Sequence, residues 1–328
     1  MHDHINVGIT LPPELVGSAP SVRQAAEVVT RASESDDAVL IVAESGFGPE
    51  GVARAIHQSG PRAPRPFIPI DCGDSHEPLM RRLFGADKAS RTEYETVSPD
   101  SALARVGAGT IFLAGVGEMP TAVQIRLSRL LRDGEMRLRK STVPIGFRLM
   151  ASTTPGLEAD VREHRFRPEL YRRLQRLRLD VPPLRDRASD LPVLIDTVLG
   201  DICRARETSC QLAPAARTAL AALRWLGNLD ELREVLMRLV DRCDSGLIRQ
   251  EDVLADLQEP QARPRPQPAL ASLRDARQTF EREYISTVLE EYGWRMTEAA
   301  RVLGIERANL YRKTRQLGIT RLKPSRAS

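Results

Sequence analysis

Five short runs of apolar residues in the first 181 positions constrain the fold more than any other feature. They occupy residues 38–42, 67–71, 109–113, 147–152 and 177–181. Each run is mostly apolar on both faces, and the runs alternate with helical stretches such as 51–57 and 121–132. Strands that are buried on both faces are typical of a parallel sheet covered by helices on both sides. We therefore predict a five-stranded parallel α/β core.

The pattern changes after Pro182 and Pro183, where the chain becomes helical. Residues 191–205, 214–223 and 229–243 place apolar side chains three and four positions apart, as amphipathic helices do. Four prolines within residues 259–269 favour an extended linker. The predicted organisation is a tail (1–15), an α/β subdomain (16–185), a helical lid (186–258), the linker (259–269) and a small all-helical domain (270–328).

Charge is distributed unevenly along the chain. The formal net charge is +4, yet residues 293–328 hold nine Lys or Arg against two Asp or Glu, so the remainder is close to −3. Such a terminal surplus indicates a polyanionic partner, although a solvated basic tail has the same composition. The four cysteines show no CxxC pair or nearby metal-spaced histidine, so we expect reduced thiols and no metal. Without a signal peptide or a long apolar segment, we expect a cytoplasmic protein with no membrane partner.

The last basic segment has the spacing of a helix-turn-helix. Gly304 divides two short helical stretches, Ala299 and Ala300 are small enough for the helices to cross closely, and Ile305 and Leu310 would close the core. The exposed face of the second helix carries side chains that can reach base edges and phosphates. The alternative is a solvated basic helix. The candidate DNA-binding residues are Thr297, Arg307, Asn309, Arg312, Lys313 and Arg315.

These residues also carry a family resemblance. The runs FEREYI (280–285), TEAA (297–300), LGI (303–305) and LYRK (310–313) are similar to the Fis-type domain of the NtrC family of transcription regulators. The resemblance implies that the helix over 280–291 forms a dimer and that residues 306–316 enter the major groove. The implied partners are double-stranded DNA with an inverted-repeat site and a second copy of the chain.

The resemblance extends upstream into the α/β region. Residues 43–50, AESGFGPE, resemble the phosphate-binding Walker A motif GESGTGKE of sigma-54-dependent activators, which have an AAA+ fold of an α/β subdomain followed by a helical lid. Ala43 replaces the first glycine, Phe47 the threonine and Pro49 the lysine, while Ser45, Gly46, Gly48 and Glu50 match. A working loop needs backbone N–H groups for the phosphates and a lysine reaching the outer ones. We therefore predict a degenerate phosphate site.

At other positions, too, the chain lacks the nucleotide-binding residues that the resemblance leads us to expect. In residues 107–118, similar to GGTLFLDEIGE, Ala114 and Gly115 stand where the acidic pair should be. An aspartate there would organise Mg²⁺ and a glutamate would orient the attacking water. Thr154 replaces the sensor asparagine and Asp230 the arginine of the second sensor. We therefore expect neither ATP nor Mg²⁺ as a cofactor and no catalytic residues, with weak residual nucleotide binding left open.

Two further motifs belong to the same resemblance. Residues 89–94, ASRTEY, replace the sigma-contacting GAFTGA, of which only Thr92 matches, whereas Arg167 and Arg173 match the arginine-finger segment. The leading hypothesis is a promoter-binding regulator that neither hydrolyses ATP nor opens sigma-54 promoters and acts through protein contact. One alternative is an ATP-dependent sigma-54 activator. Another is a scaffold or finger-donating subunit in a mixed AAA+ ring with an active NtrC-family relative.

Overall fold

The computed structural model describes residues 12, 15–85, 94–243, 245–258, 285, 288–289, 294–303, 310 and 313–314. The chain divides into two compact units, Met1–Pro264 and Arg265–Ser328. Among the described residues, no helix combines the length and apolar character needed to cross a bilayer.

A five-stranded parallel sheet forms the centre of the first unit, which confirms the predicted fold class. Its spatial order is β2-β4-β7-β1-β8. The predicted runs agree with these strands to within one residue at each end. The strands of the α/β subdomain are β1 (Val39–Val42), β2 (Phe67–Asp71), β3 (Thr96–Val97), β4 (Thr110–Ala114), β5 (Glu135–Leu138), β6 (Ser141–Pro144), β7 (Arg148–Thr153) and β8 (Leu177–Asp180).

Helices cover both faces of this sheet and create two hydrophobic cores. Alternate residues of β1 point to opposite faces, so Val39 and Ile41 pack with α1 and α2, while Leu40 and Val42 pack in the core that includes α3, α5 and α7. This two-sided burial explains why β1 consists of apolar residues only. The helices are α1 (Pro20–Glu34), α2 (Pro49–Gln58), α3 (His76–Phe84), α4 (Ala102–Arg105), α5 (Thr121–Asp133), α6 (Leu157–Arg162) and α7 (Pro168–Leu174).

The lid follows as four helices around its own core. They are α8 (Leu191–Ala205), α9 (Pro214–Ala221), α10 (Asn228–Asp241) and α11 (Gln250–Gln258). The expectation of a wholly helical lid was wrong in one detail, because β9 (Gln211–Leu212) and β10 (Leu247–Ile248) pair in parallel. A second small sheet, β3-β5-β6, was also missing from the prediction. β3, β9 and β10 have two residues each, which is too few to show a period of two. β5 and β6 contain only one buried residue between them, so they form no apolar run.

A buried ion pair fixes β3 against α5 and α3. The Arg126 Nε donates to Glu95 Oε2 at 2.9 Å, and its Nη2 donates to the Thr96 carbonyl oxygen at 2.6 Å. The side chains of Arg126 and Glu95 are only 6% and 7% exposed, and the guanidinium lies 4.2 Å from the centre of the Phe84 ring. Residues 86–93, which hold all of the altered sigma-contact motif except Tyr94, lie outside the described residues. Glu95 is therefore a buried anchor just after that motif.

The second unit has a small core of its own. In this unit α12 (Met296–Val302) is described, together with the helical residues Ile285, Val288 and Leu289. Ala299 and Ala300 are buried against these three and Leu310, as the helix-turn-helix spacing predicted. The expected core role of Ile305 concerns a position outside the described residues.

Candidate functional site

The loop that joins β1 to α2 has the geometry of a phosphate cradle. Gly46 and Gly48 both adopt left-handed backbone, with φ of 78° and 76°, which glycine tolerates better than other residues. Gly48 is the N-cap of α2, and Pro49 is its first residue. A strand, a glycine-bearing loop and a helix N-terminus are the elements from which such cradles are built. The sequence prediction of strand, turn and helix start is confirmed in this respect.

The loop has the backbone shape of a phosphate cradle, but it lacks chemical groups that such a cradle uses to bind phosphate. Pro49 supplies neither an ammonium group nor a backbone N–H, although its fixed φ suits the first turn of a helix. Phe47 is 1% exposed and packs into the α1–α2 core, so its ring stabilises the fold. Glu50 pairs with Arg54 at 2.6 Å. The loop thus keeps its conformation while two of the groups that would hold phosphate are absent from it.

The end of β4 supplies no carboxylate at the two positions where the resemblance expects them. Ala114 is the last residue of the strand, and its carbonyl accepts from the Cys72 N–H at 2.9 Å. Gly115 has φ of 65°, and its N–H donates to the Ser152 hydroxyl at 3.2 Å. A glutamate at position 115 would have to adopt left-handed backbone, which costs roughly 1–2 kcal/mol. The local backbone therefore favours the glycine that is present.

A pocket of about 420 Å³ lies at the carboxyl ends of β1, β2, β4 and β7, where ligands bind in open α/β sheets. Ala43, Ser45, Gly46, Pro49 and Thr154 line it together with Ala114 and Gly115, so these predicted positions do converge. Desolvation, followed by the nearby Asp71 charge, raises the pKa of Glu118. An acidic pocket repels a polyphosphate. The charged lining residues within the described chain are Glu44, Glu50, Asp71, Glu118 and Arg82.

The lid contacts this loop directly through a set of bonds that we call the lid–loop clamp. The Arg185 guanidinium donates two hydrogen bonds of 2.6 Å to the Glu44 carboxylate and lowers the pKa of that carboxyl. Asn228 donates from Nδ2 to the Ser45 carbonyl oxygen at 3.0 Å and accepts from the Leu184 N–H at 3.1 Å. In this clamp the loop residues Glu44, Ser45 and Gly46 bond to Arg185, Asn228 and Asp230, and Leu184 bonds to Asn228.

Asp230 joins the clamp through its backbone. Its N–H donates to the Gly46 carbonyl oxygen at 2.9 Å, while its side chain is 61% exposed and lies 3.9 Å from Arg233. The repulsion of phosphate expected from its carboxylate stays a prediction. The clamp is not evident from the sequence because it joins distant segments, although Glu44 belongs to the motif that resembles Walker A.

Gly46→Ala should open the clamp. A Cβ at this position would lie 2.2 Å from the Gly227 carbonyl oxygen, and the residue would also occupy left-handed backbone. We expect a loss of about 2–4 kcal/mol in the free energy of unfolding, combining backbone strain with overpacking, together with faster proteolysis near the lid. Urea unfolding and limited proteolysis measure both effects.

Gly134→Ala is the matched control for this variant. Gly134 also has a positive φ, 71°, but a Cβ there would meet no atom within 4 Å. We expect this control to lose only the strain of about 1–2 kcal/mol and to leave proteolysis of the lid unchanged. Equal behaviour of the two alanine variants would show that the close approach to Gly227 is unimportant.

The two arginines that match the finger segment lie at opposite ends of α7. Arg167 is its N-cap residue; its N–H donates to the Gln124 Oε1 at 3.0 Å, and its guanidinium lies 3.6 Å from Glu169. Arg173 is exposed, and it makes no hydrogen bond or ion pair with the residues that the structure describes. Neither residue belongs to the pocket lining of its own chain.

The predicted DNA-contacting residues are only partly described. Thr297 is exposed in the first turn of α12, and Lys313 is a half-buried residue in helical backbone. Arg307, Asn309, Arg312 and Arg315 lie outside the described residues. Their assignment to base edges and phosphates therefore stays a prediction.

A parallel sheet with a cradle-shaped loop at its carboxyl edge, a helical lid and a small helical unit defines an AAA+ module followed by a helix-turn-helix. Three family models match in this order, a sigma-54 interaction domain over residues 15–180, an AAA+ ATPase lid domain over 185–270 and a bacterial regulatory protein of the Fis family over 276–317. The chain belongs to the NtrC family of sigma-54-interacting transcription regulators.

Individual relatives agree with this assignment. The chain is 33% identical over 314 residues to the response regulator protein PilR of Pseudomonas aeruginosa, covering 93% of this chain and 70% of that protein. It is 33% identical over 299 residues to the Nif-specific regulatory protein of Azotobacter vinelandii, covering 89% and 56%. The crystal structure of NtrX from Brucella abortus in complex with ADP is similar with a TM-score of 0.63 at 30% identity, covering 94% and 69%. The chain thus spans little more than half of the Azotobacter regulator.

Proposed function

We propose that this NtrC-family protein regulates transcription by binding promoter DNA and contacting other proteins, without hydrolysing ATP or opening sigma-54 promoter complexes. The proposal has two parts. The first is the loss of nucleotide chemistry in the AAA+ domain, and the second is sequence-specific DNA binding by the C-terminal domain as a dimer. The two parts are tested separately.

The observation that carries the first part is Pro49 at the first position of α2. In a phosphate cradle this position faces the anion with a cationic side chain and a backbone N–H, and proline provides neither. The absence of carboxylates at Ala114 and Gly115 supports the same conclusion.

The second part rests on the Fis-type match and on the basic surplus of the last 36 residues. We expect the C-terminal domain to bind an inverted repeat with half-sites about one helical turn apart. Arg312→Ala and Lys313→Ala should weaken binding on most sequences and each reduce the slope of log affinity against log salt by about 1, because each removes a phosphate contact. Fluorescence anisotropy of the full chain at several salt concentrations measures both quantities.

Asn309→Ala is the comparison variant for these two. A side-chain amide that reads a base edge contributes about 1–3 kcal/mol of discrimination, so this variant should lose preference for its operator while keeping the salt slope. A selection from random DNA sequences supplies the operator for the assay. If all three variants weaken specific and random DNA equally, the division into phosphate and base contacts is wrong.

A second candidate function is suggested by the exposed Arg173, which has no partner among the described residues. An arginine of this kind can serve the ATP site of a neighbouring subunit, where positive charge stabilises phosphoryl transfer. The protein would then join mixed rings with an active NtrC-family relative and donate fingers in trans. Arg167 is less suited to this role than Arg173, because its guanidinium lies close to the Glu169 carboxylate.

Titration into an active relative from the same genome tests this candidate. Wild-type protein should change the ATP turnover of each active subunit, and Arg167→Ala/Arg173→Ala should abolish that change. Arg172→Ala, an exposed neighbour on α7, is the control and should behave as wild type. Identical responses to wild type and the double variant would eliminate the finger-donor role and leave a scaffold.

A further inference from the structure

The hairpin of β5 and β6 exposes three cationic side chains. The two strands pair antiparallel, and a two-residue loop, Arg139 and Lys140, joins them. Met136 and its cross-strand neighbour Val143 pack against the α/β core. Side chains alternate between the two faces of a strand, so Arg137 lies on the opposite face from Met136. Arg137, Arg139 and Lys140 are exposed, and we call them the hairpin cations.

The charged groups of the hairpin cations have no acidic partner among the residues that the structure describes. The Asp133 carboxylate pairs with Arg132 at 2.8 Å, and the buried Glu95 carboxylate accepts from Arg126. Glu135 lies at the end of the hairpin away from the loop. Three like charges at one tip repel one another, and an external anion would offset that repulsion.

Arg139 adopts left-handed backbone, with φ of 57°. A tight hairpin loop uses such a conformation, and glycine or asparagine usually supplies it. Arginine carries a Cβ that crowds the following carbonyl oxygen in this conformation, so the hairpin is less stable with arginine than with glycine. A residue that costs stability where glycine would fit indicates a role outside folding.

The segment around the hairpin is strongly basic. Residues 126–178, which run from within α5 to within β8, hold fourteen Lys or Arg against six Asp or Glu, a net charge of +8. The residues outside this segment and outside 293–328 therefore carry about −11. Positive charge concentrated in one part of a domain is the electrostatic footprint of a polyanionic partner.

We propose that the β5–β6 hairpin contacts the phosphates of duplex DNA that flanks the operator. The inference rests on the proposed DNA binding by the C-terminal domain and adds a second contact, made by the AAA+ domain. A two-stranded β-ribbon fits the major groove of DNA. The hydroxyl groups of Ser141 and Thr142, exposed on β6 beside the hairpin cations, are of the kind that bind phosphate oxygens.

Covalent attachment to the DNA-binding domain makes so small a contact effective. Three cations bind a phosphate backbone weakly by themselves. When the C-terminal domain occupies its operator, however, the flanking duplex is present at a high effective concentration. The hairpin contact is independent of base sequence, because phosphate contacts carry no sequence information. It therefore adds affinity and salt dependence and leaves the preference for the operator unchanged.

The experiment measures binding of the full-length protein to two DNA duplexes by fluorescence anisotropy. One duplex is the minimal operator selected from random sequences, and the other is the same operator extended by several helical turns on each side. Wild-type protein should bind the extended duplex about tenfold more tightly at low salt, and the slope of log affinity against log salt should be steeper by at least about 2. Arg139→Gly/Lys140→Ser should bind the minimal operator as wild type does and lose most of the gain on the extended duplex.

Two comparison variants separate the proposed contact from misfolding and from net charge. Arg139→Gly alone should weaken binding to the extended duplex while raising the melting temperature by about 2 °C, because glycine relieves the left-handed backbone. Arg204→Ser/Arg206→Ser removes two exposed arginines of the lid, which pair with Asp201 and Asp241. It changes the net charge by the same amount and should bind both duplexes as wild type does.

Equal binding of wild type and the hairpin double variant to the extended duplex would overturn the inference and leave the proposed function intact. An equal loss in the lid double variant would also overturn it, because net charge alone would then explain the effect. If the hairpin variant loses binding to poly-L-glutamate but keeps binding to the extended duplex, the partner is an acidic protein and the inference is wrong. If the full chain selects no operator at all, the proposed DNA binding fails, and the inference fails with it.

Discussion

Purified protein should release phosphate from ATP at the rate of a blank, at least about 10⁴-fold more slowly than an active relative. A positioned catalytic base contributes about 10²–10⁴-fold and a stabilising charge about 10²–10³-fold, and this chain has Pro49, Ala114 and Gly115 at the corresponding positions. A coupled phosphate-release assay with saturating Mg²⁺ and ATP measures the rate. Calorimetric titration with a non-hydrolysable ATP analogue should show no tight binding.

Variants that restore the family's residues at positions 49, 114 and 115 test this expectation further. Pro49→Lys alone should not restore turnover, because Ala114 and Gly115 still leave the metal and the attacking water without carboxylates. The triple variant with Ala114→Asp and Gly115→Glu must also overcome the left-handed backbone at position 115. A wild-type rate comparable to that of an active relative would refute the proposed loss of ATPase activity.

We also expect that this protein alone cannot open a sigma-54 promoter complex. With sigma-54 polymerase and ATP, permanganate footprinting should detect no melting when this protein is the sole activator. The altered motif at residues 89–94 and the proposed loss of nucleotide chemistry both predict this outcome. Melting above the level seen without activator would favour the ATP-dependent alternative.

Glu95→Ala should lower the free energy of unfolding more than Gly46→Ala does. It would leave the Arg126 guanidinium buried at 6% exposure without its carboxylate partner, and removing one partner of a buried ion pair costs about 3–5 kcal/mol. Urea-induced unfolding followed by circular dichroism measures the change. The remaining bond from Arg126 to the Thr96 carbonyl and its contact with Phe84 would offset only part of the loss.

Two further variants separate burial from charge. Glu50→Ala removes a carboxylate whose arginine partner, Arg54, is 44% exposed, and should cost no more than about 0.5 kcal/mol. Glu95→Gln/Arg126→Met replaces the buried pair by groups of similar volume and should recover part of the loss of Glu95→Ala. If Glu95→Ala and Glu50→Ala lowered the free energy of unfolding by similar amounts, burial of the Glu95–Arg126 pair would add nothing to its contribution to stability.

The sequence predicted the central sheet well because both faces of its strands are buried. β1, for example, has every residue buried, so its apolar run is continuous and its ends are recognisable. The lid helices were predicted from their period, and α8 has the predicted ends. β9 and β10 were missed because each is a two-residue strand whose pairing depends on the packing of helices around it.

In the candidate site, too, the local motifs were predicted from the sequence and the contacts between distant segments were not. The positions that line the pocket were found because Ala43, Pro49 and Ala114 lie in motifs with fixed spacing. The clamp was not found, because Glu44 and Arg185 are separated by 141 positions and meet only in the folded chain. Local patterns specify elements and motifs, whereas contacts between distant segments require the fold.

The lid–loop clamp also bears on how the amount of folded protein is set in a cell. A protein that binds ATP only when folded gains stability with rising nucleotide concentration, by RT ln(1 + [L]/Kd). In this chain Arg185, Asn228 and the Asp230 N–H hold the loop with groups that are covalently part of the protein. We expect its melting temperature to be the same at any ATP concentration. The steady-state level of such a regulator would follow its synthesis and degradation and would be indifferent to the energy charge of the cell.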